Sequence, residues 1–300
     1  MGMKNNQYKL QLNAKIGGLT FSALILSFTL ISFIVSTIVS TFAQKDGVIY
    51  YAINSLTSPL TILIVMLVLS KASGESVKKL ASLNKFKPIY LPVSIFAGVG
   101  VFCAFGFLNQ LFAEVLIGWG YSATAISLPL NDFGALILFI VTYAVLPAVM
   151  EECFFRGALL NSFSKIGVVA LAAVAAAFAL YHGSLTQLIY QFIYGAALVA
   201  IAARTGSSIP CMIAHFLNNF AIILFEYTGV FIDLLSPIVI IIGVVAIVIA
   251  VGLSFIEKEK GKLSIKGQAN EVKGFFIPFG IFGIVVCLLS ACSMFFVGAL

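Results

Sequence analysis

Long runs of apolar residues alternate with short polar connections along the chain. A bilayer core of ~30 Å requires about 20 apolar residues in a helix. The pattern predicts nine membrane-spanning segments, near 17–43, 50–70, 89–115, 133–155, 167–183, 185–203, 208–226, 234–256 and 275–299. Two of them, 50–70 and 167–183, are the least distinct. The pattern therefore predicts an all-α fold, a polytopic helical membrane protein with about eight or nine transmembrane helices.

The composition agrees with lipid as the main solvent. Of the 300 residues, 61% are hydrophobic and 9% are charged, whereas a soluble domain carries about 25% charged residues. We expect a single membrane domain, 1–300, because no segment is long enough for a separate soluble one. The alanine-dense stretch 170–179 predicts a central helix, since small side chains allow close helix approach. The bulky stretch 234–250 predicts a lipid-facing helix.

The net charge of +6 is unevenly distributed. Lysines cluster before residue 16, at 71–87 and at 258–273, whereas 116–132 and 226–233 contain no Lys or Arg. This alternation follows the positive-inside rule and, with nine spans, predicts a cytoplasmic N-terminus and an external C-terminus. The basic clusters therefore indicate topology, and we expect no nucleic-acid partner. Short, Lys-rich polar loops are typical of a protein of a bacterial cell membrane.

The first group of intramembrane polar residues is Glu151, Glu152 and Arg156, in VMEECFFRG. At ~100° per residue, Glu152 and Arg156 share one helix face with i,i+4 spacing, which favours an ion pair. Glu151 lies about 140° from Arg156 and is the freer carboxylate. The alternative is a helix end at the headgroups, with these charges in water.

The chain has two histidines, and both lie in apolar helical runs. His182 follows Phe178 by four residues at the end of the alanine-rich helix. His215 precedes Asn219 by four residues, so their side chains share a helix face. A single buried histidine is more often a packing residue than a catalyst, but two histidines with a glutamate pair favour a joint site. Four further polar residues favour bonds between helices over the lining of a cavity: Gln187, Tyr190, Gln191 and Tyr194.

These residue types suit hydrolysis of an amide by activated water. A carboxylate beside an imidazole can hold and deprotonate a water molecule, so we assign Glu151 as the base and His182 as its water-holding partner. An imidazole and a carboxamide on one face can donate hydrogen bonds to an oxyanion, which assigns that role to His215 and Asn219. We assign the Glu152–Arg156 ion pair to orient the catalytic side chains around it.

Other chemistries fit less well. The sequence contains no HExxH, GxSxG or GxGD pattern. The residue types also permit a divalent metal such as zinc, with His182, His215 and Glu151 as ligands. A thiol route through Cys211, four residues before His215, would leave the glutamate pair without a role.

Three motifs in this region resemble those of the CAAX-protease and bacteriocin-processing (CPBP) family of intramembrane peptidases. The family motifs EExxxR, FxxxH and HxxxN/D stand here, in order, as EECFFR (151–156), FALYH (178–182) and HFLNN (215–219). The resemblance covers about 150–220 and places the catalytic core at about 133–226. It implies a peptidase whose cavity opens to the cytoplasm and to lipid. It also implies that the first glutamate and first histidine activate water, while the second histidine and the asparagine stabilise the oxyanion. Family members are argued to be either glutamate-dependent or metal-dependent.

We therefore expect an intramembrane endopeptidase in the lipid bilayer, acting on a prenylated C-terminus, a peptide precursor or a membrane protein. One alternative is a proton- or ion-coupled transporter, since intramembrane Glu and His serve such roles, although no inverted repeat is evident. Another is a non-catalytic scaffold or immunity protein. Nine simple spans place Glu151 and His215 toward the cytoplasmic side and His182 nearer the outer side. Helix tilt, a long fourth helix or a short fifth helix would bring them together.

Overall fold

The computed structural model describes residues 10–122, 128–164, 166–256, 263–264 and 269–297. The α-helices are α1 (Ala14–Val39), α2 (Val48–Ser55), α3 (Thr57–Ser73), α4 (Val77–Leu80), α5 (Tyr90–Phe105), α6 (Phe107–Gly118), α7 (Phe133–Phe139), α8 (Leu146–Glu152), α9 (Val168–Tyr181), α10 (Leu188–Thr205), α11 (Ile209–Thr228), α12 (Pro237–Ile256), α13 (Ala269–Phe275) and α14 (Ile281–Val297). Three π-helical segments, Ile140–Val145, Cys153–Leu159 and Phe276–Gly280, and one 3₁₀ turn, Leu160–Ser162, continue these helices. Two strands of two residues, β1 (Ile166–Gly167) and β2 (Leu263–Ser264), pair in parallel.

Each of the nine predicted spans coincides with helical structure in its described part; 298–299, the end of the last span, lie outside the described residues. Among the described residues, seven helical stretches are long and apolar enough to cross a membrane: Ala14–Val39, Val48–Ser73, Tyr90–Gly118, Phe133–Ser162, Leu188–Thr205, Ile209–Thr228 and Pro237–Ile256. Two further apolar helices, Val168–Tyr181 and Ile281–Ser293, are shorter. The prediction of an all-α, polytopic membrane protein is confirmed.

Unequal helix lengths bring the predicted site residues to a similar depth. The fourth span, Phe133–Ser162, has 30 residues, whereas α9 has only 14. At 1.5 Å per residue, α9 is about 21 Å long, shorter than a bilayer core of ~30 Å. His182 directly follows α9 and lines the same cavity as Glu151 of the fourth span.

The alanine-rich helix and the bulky helix take the positions that their compositions indicate. In α9 the alanine and phenylalanine side chains are largely buried. By contrast, α12 exposes many of its large apolar side chains, including Ile238 and Val248. It contacts the rest of the molecule mainly along α5, where Gly243 lies against the backbone of Ala104. A glycine permits this close approach of two helices in lipid.

Candidate active site

The fourth span is not a uniform α-helix. Its central segment α8, which carries Glu151 and Glu152, is flanked by the π-helical segments Ile140–Val145 and Cys153–Leu159. A π-turn inserts one extra residue per turn and is frequent at functional sites. It shifts the helix face presented by the residues that follow, so side-chain directions beyond each segment differ from those of a regular α-helix.

Glu152 and Arg156 form the predicted ion pair, deep inside the protein. Arg156 Nη1 donates to Glu152 Oε1 at 2.8 Å, and both side chains are fully buried. Arg156 Nη2 donates to the carbonyl oxygen of Gly195 at 3.2 Å. The guanidinium carbon also lies 4.1 Å from the centroid of the Phe178 ring, a cation–π contact. The alternative of charges in water at a helix end is therefore wrong.

Glu152 also contacts the second histidine. His215 Nδ1 lies 2.8 Å from Glu152 Oε1. An ionised carboxylate only accepts hydrogen bonds, so this contact holds a proton on Nδ1 and fixes the orientation of the ring. The other ring nitrogen, Nε2, then faces Glu151 and lies 4.0 Å from its Oε2.

Glu151 is the glutamate of this pair that lines a cavity. Its side chain is nearly buried, and Oε2 has no hydrogen-bond partner within the described part of the chain. It lines a cavity of about 360 Å³ together with His182 and Asn219. A buried carboxylate oxygen without a partner is costly. Glu152 Oε2 is also without a partner among the described residues, so the two glutamates differ in that Glu151 lines the cavity and Glu152 does not.

His182 follows α9 and enters the same cavity with a fixed ring. Its Nδ1 donates to the backbone carbonyl of Phe178 at 2.9 Å. Because a carbonyl only accepts, the neutral imidazole keeps its lone pair on Nε2. The Phe178 ring packs edge-on against both histidines, at centroid distances of 4.8 Å to His182 and 5.8 Å to His215. This phenylalanine therefore spaces the two imidazoles and also lies beneath the Arg156 guanidinium.

A chain of hydrogen bonds holds the Asn219 carboxamide. Tyr190 OH donates to Asn218 Oδ1 at 2.6 Å, and Asn218 Nδ2 donates to Asn219 Oδ1 at 3.1 Å. Asn219 Nδ2 in turn donates to the carbonyl oxygen of Tyr143 at 3.1 Å. A carboxamide nitrogen has two N–H groups, so one N–H of Asn219 is left for a group in the cavity.

The predicted site residues form one cluster in two layers. Glu151, His182 and Asn219 line the cavity, and the supporting residues Glu152, Arg156 and Phe178 lie buried behind them with His215. The sequence analysis missed Asn218, whose only signal is a second adjacent asparagine in an apolar helix. It also favoured interhelical bonds over a cavity for Gln187, Tyr190 and Gln191. All three line this cavity, and Tyr190 also makes an interhelical bond, to Asn218.

The geometry bears on two alternative chemistries, a metal centre and a cysteine nucleophile. Among the described residues, no three His, Cys, Asp or Glu side chains are grouped so that they would hold a metal ion, and we derive no step through a metal. Cys211 is fully buried and donates to the carbonyl oxygen of Leu198 at 3.1 Å. It is not among the described residues that line the cavity.

Fold and site together define a polytopic helical membrane protein with a buried Glu, His and Asn cluster beside a cavity. In a comparison with known families, the family described as type II CAAX prenyl endopeptidase Rce1-like matches residues 133–221. This segment contains all three motifs, and the match confirms the resemblance to CAAX-type peptidases. It supports CAAX-type intramembrane protease activity in general. No curated protein and no solved structure matches the chain significantly.

Proposed function

We propose that the chain is an intramembrane endopeptidase that hydrolyses a peptide bond with a water molecule activated between Glu151 and His182. The observation that carries this proposal is the difference between two adjacent carboxylates. Glu152 is committed to Arg156 and His215. Each glutamate has one oxygen without a hydrogen-bond partner among the described residues, but only Glu151 lines the cavity that His182 and Asn219 also line.

In this mechanism Glu151 takes a proton from the attacking water, and His182 Nε2 accepts the water's second hydrogen as a hydrogen bond. The hydroxide attacks the carbonyl carbon of the substrate peptide. Glu151 then returns the proton to the leaving amine, so no covalent intermediate forms. Proton transfer by a positioned side chain contributes a rate factor of about 10²–10⁴.

The developing oxyanion needs donors that are in place before the reaction. We assign the free N–H of Asn219 as one donor. The sequence analysis assigns His215 as the second donor, but His215 is not among the described residues that line the cavity. We therefore propose that His215 acts as a positioning residue, because its Nδ1 contacts Glu152 and its Nε2 lies 4.0 Å from Glu151 Oε2. Tyr190 and Asn218 act as positioning residues, because their hydrogen bonds orient the Asn219 carboxamide.

A neighbouring apolar groove supports a membrane-associated substrate. The groove has a volume of about 530 Å³ and shares Asn109, Tyr190, Ile222 and Glu226 with the cavity. Its other walls include Phe102, Phe225 and Leu234. We propose that the apolar part of the substrate, a hydrophobic segment or a prenyl chain, lies here while the scissile bond reaches the cavity.

The test is cleavage of a quenched peptide library, including farnesylated C-terminal peptides, by protein purified in detergent. Wild type should cleave, and Glu151→Gln should lose at least about 10²-fold in rate, the lower limit for loss of a proton-transfer group. Glu114→Gln is the matched control, since Glu114 is a carboxylate on α6 that does not line the cavity. Each protein is checked for a single monodisperse peak, and each reaction is run with and without a chelator. Equal cleavage by wild type and Glu151→Gln would refute the assignment, and chelator sensitivity would establish a metal.

A further inference from the structure

A separate apolar cavity lies between α5, α10 and α12, away from the candidate active site. It has a volume of about 160 Å³. Small and β-branched side chains form most of its wall, including Val93, Ala97, Val101, Ala197, Ala200 and Ala250. No described residue lines both this cavity and the one beside Glu151. We call this cavity the α5–α10–α12 groove.

The groove exists because α5 and α12 pack closely while α10 meets them with short side chains. A Cβ added at Gly100 of α5 would lie 2.9 Å from the backbone nitrogen of Ile247 of α12, so this glycine lets the two helices approach. On α10, Ala197 and Ala200 line the groove and stay partly exposed. Their methyl groups do not fill the space between the three helices, and the groove is open to the surrounding membrane.

One end of the groove is polar. Arg204 lies in the last turn of α10, Tyr90 is the first residue of α5, and Ser254 lies in the last turn of α12. Arg204 Nη2 donates to the carbonyl oxygen of Ser254 at 2.6 Å, and Arg204 Nε donates to the hydroxyl oxygen of Tyr90 at 3.4 Å. All three residues stand at ends of helices that are long and apolar enough to span a membrane. The polar end therefore lies where lipid headgroups meet the hydrocarbon core.

From this polar end the groove runs into the apolar part of the bundle. Along α5 it extends from Tyr90 to Val101, and along α10 it extends from Arg204 back to Ala197. At 1.5 Å per residue these stretches measure about 16 Å and about 10 Å. One leaflet of a bilayer contributes about 15 Å of hydrocarbon. The groove therefore has the length of an acyl chain within one leaflet.

The polar end keeps hydrogen-bond donors for an anion. The two bonds of Arg204 use its Nε and Nη2, and its Nη1 forms no hydrogen bond with a described residue. A guanidinium presents its N–H groups in a planar fork that matches phosphate oxygens. Tyr90 is 3% exposed and accepts a hydrogen bond from Arg204, so its own O–H can donate to a ligand. Arg204 is the one charged side chain among the described residues that line the groove.

We propose that the α5–α10–α12 groove binds an anionic phospholipid, with one acyl chain along the groove and the phosphate at Arg204 and Tyr90. Basic pockets between membrane-spanning helices bind anionic headgroups, and the bilayer around the protein supplies the ligand. The connection that leads into α5 adds the positive charges of Lys85 and Lys87. The site lies apart from Glu151, so the proposal does not depend on the proposed function.

The headgroup contact is tested by native mass spectrometry of the full-length protein, titrated in detergent with phosphatidylglycerol or with phosphatidylcholine of identical chains. Wild type should bind phosphatidylglycerol about tenfold more tightly or better, as expected for hydrogen bonds to a charged group. Arg204→Gln should lose this preference, whereas Lys71→Gln should keep it. Lys71 is the matched control, because it is an exposed basic residue in the last turn of α3 that does not line the groove. Equal binding of the two lipids by wild type, or an unchanged preference in Arg204→Gln, would overturn the proposal.

The acyl-chain contact is tested with Ala200→Leu, which fills the groove and leaves Arg204 in place. This variant should bind phosphatidylglycerol more weakly than wild type, whereas Val248→Leu should not, since Val248 is 64% exposed and lies outside the groove. Unchanged binding by Ala200→Leu would overturn the proposal, and this arm also decides it if Arg204→Gln does not fold. Neither glycerol phosphate nor a farnesylated peptide should displace the lipid at equal concentration. Displacement by glycerol phosphate would show a site for the anion alone, displacement by the peptide would show a substrate site, and either result would refute a phospholipid site.

Discussion

Removing the positive charge of Arg156 should destabilise the protein far more than removing a similar charge at the surface. Arg156 and Glu152 are paired at 2.8 Å with i,i+4 spacing, and both side chains are fully buried. Without the guanidinium, the buried Glu152 charge loses its main partner. Breaking a buried pair from one side costs about 3–5 kcal/mol, because the remaining charge is left uncompensated. Loss of the cation–π contact with Phe178 acts in the same direction.

The chain contains a matched control for this effect. Lys79 and Glu75 are also paired at 2.8 Å with the same spacing, but their side chains are 71% and 43% exposed. An exposed pair contributes about 0–1 kcal/mol, because water and salt screen both charges. The two pairs therefore differ chiefly in burial, and a comparison of Arg156→Met with Lys79→Met isolates that variable.

The assay is equilibrium unfolding in mixed micelles with increasing SDS, followed by circular dichroism. Arg156→Met should lower the free energy of unfolding by about 3–5 kcal/mol, and Lys79→Met by at most about 1 kcal/mol. Adding Glu152→Gln to Arg156→Met should restore part of the loss, since the uncompensated charge is gone. If Arg156→Met is no more destabilised than Lys79→Met, the burial of this pair has been misjudged.

Three further predictions concern positioning, packing and the nucleophile. Tyr190→Phe removes the hydrogen bond to Asn218, so the oxyanion donor Asn219 is oriented less well. In steady-state cleavage kcat should fall about tenfold with little change in KM. A change in KM alone would contradict this role. Gly243→Val forces α12 away from the α5 backbone and should cost about 1–3 kcal/mol in the same unfolding assay, whereas Gly252→Val, where an added Cβ meets no atom within 4 Å, should cost much less. Cys211→Ala should retain cleavage; loss of cleavage with normal folding would revive the thiol route.

Contacts within one helix could be predicted from the sequence, because helical spacing determines them. The Glu152–Arg156 pair follows from a separation of four residues, and the structure contains it. The contact between Glu152 and His215 joins residues 63 positions apart. Helical periodicity in the sequence cannot predict such a contact, because the contact depends on how the fourth span and α11 are rotated relative to each other.

The depth of the site could not be predicted, since hydropathy gives approximate span limits but not the internal geometry of a helix. The π-helical segments around α8 and the short α9 decide where Glu151 and His182 lie. Asn218 was missed for a related reason. The i,i+4 rule selects Asn219 as the partner of His215, whereas the role of Asn218 depends on Tyr190 of the neighbouring α10.

The distribution of committed and unpartnered polar atoms favours hydrolysis over ion transfer. An ion or proton path across the bilayer needs ionisable groups that exchange partners between the two faces. Here the cavity beside Glu151 is separated from a second cavity, lined by Lys79 and Asn161, by Glu152, Arg156 and His215. These three residues hold one another with contacts of 2.8 Å and are almost fully buried. Breaking this layer would leave buried charges uncompensated, at a cost of several kcal/mol for each step of transport. Glu151 lies outside this layer and lines a cavity with His182 and Asn219. A cavity that does not cross the ion-paired layer suits a reaction in which substrate enters and products leave on the same side of that layer.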